Sequence, residues 1–516
     1  MNTKTAWEKA AEAHGTTDSE RSLARLARRA FLSLWSYPNV YSDEGRSRGK
    51  GDGKELVDLL VVFGTDVLLF SDKHCAFQSD VDLNVAWPRW FKRAIEKSAR
   101  QLAGAESFLR RFPDRAFLDK SCQTRMPVRI PDPSGARYFL VAVTRGGHSA
   151  AARHFGGGSS GSLMLNSMLG GDGHFEHPFE IGFPLKSRRF VHVLDEITVD
   201  TLLEELDTVP DLIDYLTCKE RYFGANGVFM HISGEEDLLA QYMCTMEGDR
   251  HTLPEVPPGT GSVALLEGDW DFYSSSPQRA AKRKADQGSY MWDALIEYQA
   301  SFVRAGTAVG LPETPPETID HERILRALAA EPRLARRVLA ADLRFALSKS
   351  EPGRKFVRVS VSPDRESRAY IFLTAPKPRD MGYAAYREMR SAALLAYCHG
   401  IKMRLPQVIE AIGIASEPFS EEIASQDLVY VDLSAELSPE ESAVWKEAME
   451  ELDVLRTPAK DMRYFSRKGH EFPMPFDFSG PKFYELERAA PMSRAERRRE
   501  AREARKAAKK KNKQKR

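Results

Sequence analysis

The stretch GKELVDLLVVFGTDVLLFSDKHC, residues 53–75, decides the fold of the first part of the chain. Two runs of aliphatic and β-branched residues, 56–63 and 67–71, flank the short turn GTD, a pattern typical of a β-hairpin. The second run ends on Asp72 and Lys73. Because a hairpin needs no charge there and a lysine is costly to bury, this end of the strand is either exposed or functional.

The alternation of side chains along the two strands places charged residues on one face. Asp58 shares a face with Leu60 on the first strand, and Lys73 shares a face with Ser71 on the second. One antiparallel register brings Asp58 and Lys73 together at the edge of the sheet. A carboxylate beside an ammonium group at this edge could hold a divalent metal ion and position an attacking water.

Further elements surround the hairpin. Apolar residues repeat at helical spacing over 23–34, and Thr17 or Asp18 can cap that helix. Residues 87–113 predict a long amphipathic helix, and residues 137–145 predict a buried strand. The predicted order is therefore helix, strand, strand, helix, strand.

This order, with an aspartate on the first strand and a lysine closing the second, resembles the PD-(D/E)xK nuclease superfamily. It is similar in style to the Holliday-junction resolvase, Mrr and NERD branches, and the resemblance covers residues 1–145. It implies an α/β fold with a restriction-endonuclease-like αββαβ core. It also implies a magnesium- or manganese-dependent nuclease that hydrolyses phosphodiester bonds, with DNA as the first substrate to test.

The resemblance assigns roles to individual residues. Asp58 matches the strand acid, and Glu20, on the buried side of the first helix, matches the helix acid, so both are expected to bind the metal. Lys73 matches the lysine that stands by the nucleophilic water. Gln101 corresponds to a glutamine that several branches carry near the site. A simpler interpretation is that Lys73 extends to solvent and that Glu20 is an ordinary acid in the first turn of its helix.

One position departs from the family pattern. Ser71 stands where the second acid is expected, and the neighbouring Asp72 points to the other face. Three repairs are open: Ser71 binds metal through its hydroxyl or a water, a bulge turns Asp72 inward, or Glu55 supplies a carboxylate from an irregular strand start. A fourth interpretation is that activity has been lost.

Composition limits the class of protein. The chain has 516 residues, 42% hydrophobic and 29% charged, which is enough for two or three domains. Its five cysteines are scattered, a pattern that disfavours a disulfide framework and a thiolate zinc site. No apolar run approaches the ~20 residues that span a bilayer, and the N-terminus lacks the apolar core of a signal peptide. We therefore expect a cytoplasmic protein with no membrane partner, and the resemblance to these nucleases implies a bacterial source.

The predicted organisation has four parts. Residues 16–150 form the nuclease-like domain, residues 151–310 a mainly helical middle domain with two helices split near Pro210, and residues 315–475 an α+β domain. The second and third parts could recognise a protein partner or target the nuclease, for example in bacterial defence or mobile-element biology. Residues 490–516 form a basic tail.

The near-neutral net charge of the chain hides an asymmetry between the tail and the rest. Residues 492–516 carry thirteen Lys or Arg and three Glu, so the tail has a charge of +10 while the whole chain has +1. Such a tail could bind a polyanion without sequence preference, or be a solvated, disordered end. The nucleic-acid-binding candidates are Arg497, Arg498, Arg499, Lys509, Lys510 and Lys511. The alternative function is therefore a catalytically inactive, nuclease-like scaffold that binds nucleic acid or a protein.

Two weaker patterns lie after residue 147. The histidines of that stretch, with acids among them, could bind a metal, but their irregular spacing favours surface roles; they are His148, His154, His174 and His177. The loop HFGGGSSGS could cradle a phosphate, but it lacks the lysine and following Ser or Thr of a P-loop, so a flexible loop is favoured.

Overall fold

The computed structural model describes most of the chain between residues 15 and 473. The described residues are 15, 17–47, 51–156, 163–224, 228–248, 250–265, 267–308, 318–351, 353–418, 425–455 and 470–473. The basic tail and the loop at residues 157–162 lie outside them, so the predictions for both stay predictions.

The stretch up to residue 195 contains the predicted hairpin, its flanking helices and the start of the predicted middle region. Its elements are α1 (Asp18–Phe31), β1 (Ser36–Ser42), α2 (Glu44–Ser47), β2 (Lys54–Phe63), β3 (Asp66–His74), α3 (Leu83–Phe91), a π-helical turn (Lys92–Glu96), α4 (Lys97–Arg111), β4 (Ala116–Phe117), β5 (Arg137–Arg145), α5 (His148–His154), β6 (Met164–Gly170), β7 (Glu180–Phe183) and β8 (His192–Asp195). Thr17 caps α1 and forms a capping box with Glu20.

The middle region is rich in helices and adds short strands. Its elements are α6 (Glu196–Glu205), α7 (Val209–Phe223), β9 (Phe229–Ile232), α8 (Glu235–Cys244), β10 (Met246–Glu247), β11 (Arg250–His251), β12 (Ser262–Leu265), α9 (Asp269–Ser274), α10 (Pro277–Asp286) and α11 (Tyr290–Ala305). The predicted split near Pro210 separates α6 from α7. Strands β12, β9, β6 and β7 form a four-stranded sheet, so the middle region is not built from helices alone.

The third region follows the predicted α+β pattern. Its elements are α12 (Thr318–Ala329), α13 (Arg333–Ser348), β13 (Phe356–Val361), β14 (Arg368–Thr374), α14 (Tyr383–Arg404), β15 (Glu410–Ser416), β16 (Gln426–Asp432) and α15 (Pro439–Glu451). The four strands pair in chain order, with β14 and β15 parallel and the outer pairs antiparallel.

The candidate site lies on a six-stranded sheet in the order β4-β1-β2-β3-β5-β8. Strands β1, β2 and β3 are antiparallel neighbours, and β3, β5 and β8 run parallel. Because β8 pairs with β5, the first sheet extends beyond residue 150, where the sequence pattern had suggested a boundary. The coarse prediction of a mixed α/β protein is confirmed.

Strand β1 was not indicated by the sequence pattern. Pro38 lies within it, opposite Leu59 of β2. Proline has no N–H to donate and is therefore tolerated mainly on edge strands. On its other side β1 pairs with β4 only at Tyr41 and Ser42, so at Pro38 it is an edge and no ladder bond is lost.

Candidate functional site at the β2–β3 fork

The two strands of the hairpin separate at Asp58. Their pairing runs from Phe63 and Asp66 to Leu59 and Phe70. Beyond that pair β2 continues against β1, and β3 continues against β5 as far as His74. We call this opening the β2–β3 fork.

Asp58 is the buried acid of the fork. Its side chain accepts a hydrogen bond from the backbone N–H of Asp72, with 2.5 Å between nitrogen and Oδ2. Burial raises the pKa of Asp58 to about 6, although Lys73 and the N–H of Asp72 favour its charged form and lower that pKa. The carboxylates of Glu55 and Glu20 raise it further. Asp58 therefore lies within electrostatic reach of one ammonium and two carboxylates.

Lys73 lies on the predicted face. The register pairs Leu60 with Leu69, so Asp58 and Lys73 point to the same side of the sheet, as alternation requires. Lys73 is half-buried at the end of β3. Ser71, on the same face, is fully buried, and its hydroxyl has no hydrogen-bond partner among the described residues.

Glu55 joins the fork through a β-bulge in β2. Val40 pairs with Val57, but the next residue, Tyr41, pairs with Glu55, so Leu56 is an extra residue in β2. An extra residue reverses the alternation beyond it. Glu55 therefore returns to the side of Asp58, which a regular strand would not allow. This is the irregular strand start that the third repair requires.

Asn39 connects the two glutamates of the fork. Its Nδ2 donates to Glu55 Oε1 over 3.0 Å and to Glu20 Oε2 over 3.3 Å. Asn39 has φ of 51°, a left-handed conformation that asparagine tolerates better than most residues. Burial raises the pKa of the neighbouring Tyr41 to about 12, and the charges of Glu55, Glu20 and Asp58 contribute to this rise.

Glu20 also serves its own helix. Its side chain accepts from the backbone N–H of Thr17 over 3.2 Å, which is the reciprocal bond of the capping box. The simpler interpretation of Glu20 as a first-turn acid is therefore part of its role, and the contact with Asn39 adds a link to the fork.

Gln101 holds the bulge. Its Nε2 donates to the carbonyl of Leu56, the extra residue of β2, over 3.3 Å. The predicted auxiliary glutamine thus contacts the backbone that positions Glu55. The resemblance implied that Gln101 lies near the site, but the sequence carried no signal for this partner.

Asp72 does not turn into the fork. Its carboxylate accepts two hydrogen bonds from Arg145 Nε, of 2.9 and 3.1 Å, on the opposite face of the sheet. Burial raises the pKa of Asp72 although Arg145 opposes that shift. The repair in which a bulge turns Asp72 inward is therefore wrong: the bulge lies at Leu56, and Arg145 fixes Asp72 on the other side.

The described residues hold no preformed metal cluster. Within the described ranges, no three or more histidine, cysteine, aspartate or glutamate side chains are grouped so that they could hold a metal ion. The predicted histidine group is dispersed: His148 faces Asp195 over 3.8 Å, and His177 faces Glu180 over 3.7 Å. His174 is buried, and its ring bonds only backbone groups, so its role is structural.

None of the helices in the described part of the chain has the length and apolar character that a membrane span needs.

The comparisons with known proteins add no relative. No protein-family model, no curated protein and no solved structure matches the chain.

Proposed function

We propose that the chain hydrolyses phosphodiester bonds of nucleic acid at the β2–β3 fork, with DNA as the expected substrate. The observation that supports this most strongly is the buried Asp58, which keeps a carboxylate beside Lys73 and near Glu20 and Glu55. Burying a charge is costly, so a fold seldom retains a buried carboxylate without a use for it. Carboxylates with a strongly shifted pKa are therefore concentrated at functional sites. The resemblance to PD-(D/E)xK nucleases adds the reaction type.

Magnesium or manganese is the cofactor of the proposal. Mg²⁺ in phosphate-processing sites takes one or two protein carboxylates and completes its shell with substrate oxygens and water. The fork meets that smaller requirement: Asp58 together with Glu55 or Glu20 would hold the ion, and the Ser71 hydroxyl could take part. When bound, the ion would neutralise charge that develops on the phosphoryl oxygens.

The side chains of the fork have separate tasks in this reaction. Lys73 orients the attacking water and stabilises negative charge in the transition state. The N–H of Asp72 holds Oδ2 of Asp58, which fixes the carboxylate in one orientation. Asn39 and Gln101 position Glu55, one through its side chain and the other through the bulge.

Cleavage assays on matched variants test the proposal. Labelled plasmid, linear duplex, single-stranded DNA and RNA are incubated with the protein in Mg²⁺ or Mn²⁺. Asp58→Asn and Lys73→Ala should each lower the cleavage rate by about 10²-fold or more. The control is Lys186→Ala, which removes an exposed lysine that pairs with Asp172, outside the fork. Cleavage by Lys73→Ala at the rate of the unchanged protein would contradict the proposed mechanism.

The second candidate function is a nuclease-like protein that binds nucleic acid without cutting it. Two observations favour it: Ser71 replaces the expected acid, and Asp72 is held by Arg145 instead of facing the fork. Calorimetry with Mn²⁺ separates the two functions. The nuclease should bind Mn²⁺ in a way that Asp58→Asn weakens, whereas the scaffold should bind nucleic acid, cut none, and show no such dependence.

A further inference from the structure

The third region repeats the arrangement of the first. In the first region α1, the antiparallel pair β2–β3, a helical run and the parallel strand β5 follow one another, with β1 and α2 added before the hairpin. In the third region α13, the antiparallel pair β13–β14, α14 and the parallel strand β15 follow in the same order. The helical runs begin at Leu83 and at Tyr383, 300 positions apart.

The connections that precede these helices also correspond. Each has eight residues, 75–82 and 375–382. Two backbone hydrogen bonds recur in them, one closing a turn and one starting the helix. In the turn, the N–H of Val81 donates to the carbonyl of Gln78, as that of Met381 does to Pro378. At the start of the helix, the N–H of Ala86 donates to the carbonyl of Asp82, as that of Tyr386 does to Gly382. The two units therefore share local geometry as well as strand order.

The third region has a different chemistry at the positions of the fork. Asp58 lies one residue beyond the last pair of β2 and β3, and so opposite Ser71. Ile371 and Leu373 lie 300 positions after Ser71 and Lys73. Val359 of β13 pairs with Ile371 and therefore takes the position of Asp58. All three are aliphatic.

These aliphatic residues close the second unit. Ile371 and Leu373 are fully buried and belong to a hydrophobic core with Leu394 of α14. In this second unit β13 and β14 stay paired through Val357 and Leu373, where the corresponding strands of the first unit have separated. The second unit thus has no open fork at which a buried carboxylate could meet a lysine.

We propose that the chain is a duplicated αββαβ protein with one reacting fork, and that it therefore nicks one strand of a duplex in each binding event. This inference rests on the proposed function. In the cut, the oxygen of water bonds to phosphorus, the bond from phosphorus to one sugar oxygen breaks, and that oxygen takes up a proton. A single fork presents water to one phosphorus at a time, so the second strand stays intact.

A plasmid assay tests the number of strands cut. Supercoiled plasmid is incubated with excess full-length protein in Mg²⁺ or Mn²⁺, and open-circular and linear forms are followed over time. Open-circular plasmid should accumulate first, the linear form should appear at least about tenfold more slowly, and the nicking rate should be first order in protein. Lys73→Ala should lose nicking, while its counterpart Leu373→Met should keep it.

Three outcomes would overturn the inference. Linear plasmid that appears without an open-circular intermediate, at a rate rising with the square of protein concentration, would mean that two forks act together; the proposed function would survive. Loss of nicking in Leu373→Met with an unchanged unfolding midpoint would give the second unit a part in the chemistry. No cleavage of any substrate would remove both the inference and the proposed function.

Discussion

At the scale of the residue, the burial of the Asp58 carboxylate lowers the free energy of unfolding, and the fold does not require this cost. A carboxylate with a pKa near 6 binds more protons in the folded chain than in the unfolded chain between pH 4 and 6. The contribution of Asp58 to the free energy of unfolding is therefore highest below this window and falls as the pH rises through it. Above pH 6 the charged carboxylate costs the full amount, about 3 kcal/mol for a shift of about two pKa units.

We predict that Asp58→Asn, measured without divalent ions, is more stable than the unchanged protein at pH 7.5. Asparagine cannot ionise, and its side-chain oxygen can still accept from the N–H of Asp72. The gain should reach about 3 kcal/mol at pH 7.5 and vanish near pH 4. Urea titrations at both pH values measure the difference, and an equal difference at the two pH values would contradict the assignment.

Sequence alone predicts half of the fork. Alternation places Asp58 and Lys73 on one face because the strands between them are regular. It places Glu55 on the wrong face because the bulge at Leu56 depends on pairing with β1, and β1 carries a proline that does not suggest a strand. The partner of Asp72 was also out of reach, since Arg145 lies 73 residues away along the chain.

At the scale of the element, the hairpin and the strand over Arg137–Arg145 follow from their aliphatic runs, and the third region follows from its periodicity. The Gly-rich stretches after residue 147 could not be assigned from sequence. Strands β6 and β7 lie there, and β6 pairs with both β7 and β9, so long-range contacts stabilise these strands more than local preference does.

The pair Asp72–Arg145 joins the ends of β3 and β5. The Asp72 side chain is fully buried and that of Arg145 is 15% exposed. We predict that Arg145→Ala costs about 3 kcal/mol of unfolding free energy because it leaves a buried carboxylate without a partner. The double variant Asp72→Leu, Arg145→Met should recover much of that loss.

Urea unfolding of Asp72→Leu, Arg145→Met and the double variant completes a double-mutant cycle that measures this coupling. The control is Arg354→Ala, which breaks an exposed pair with Glu351 and should leave stability unchanged. If the costs at Asp72 and Arg145 simply added, the two side chains would not be coupled.

At the scale of the whole molecule, the charge asymmetry allows binding of nucleic acid to be tested separately from its cleavage. The tail carries +10, and the rest of the chain is negative. We predict that removal of residues 492–516 weakens duplex binding and flattens its salt dependence, because fewer phosphate counterions are released. The unfolding midpoint should not change.

A substitution variant of full length is the matched control for that truncation. It replaces with Gln the six basic candidates Arg497, Arg498, Arg499, Lys509, Lys510 and Lys511. Fluorescence anisotropy at several salt concentrations should give both variants reduced slopes, with the larger reduction for the truncation, which removes thirteen basic residues instead of six. A slope equal to that of the unchanged protein would assign nucleic-acid binding to another surface.

The sheet of the third region faces two hydrophobic environments. Tyr370 and Phe372 belong to the core shared with the middle region, and their rings lie 5.4 and 6.3 Å from the ring of Trp292. Ile371 and Leu373 face the separate core under α14. Without α11, Tyr370 and Phe372 would lose their contacts with Trp292, and one face of the sheet would be exposed to water. The third region therefore keeps both faces of its sheet covered only together with α11.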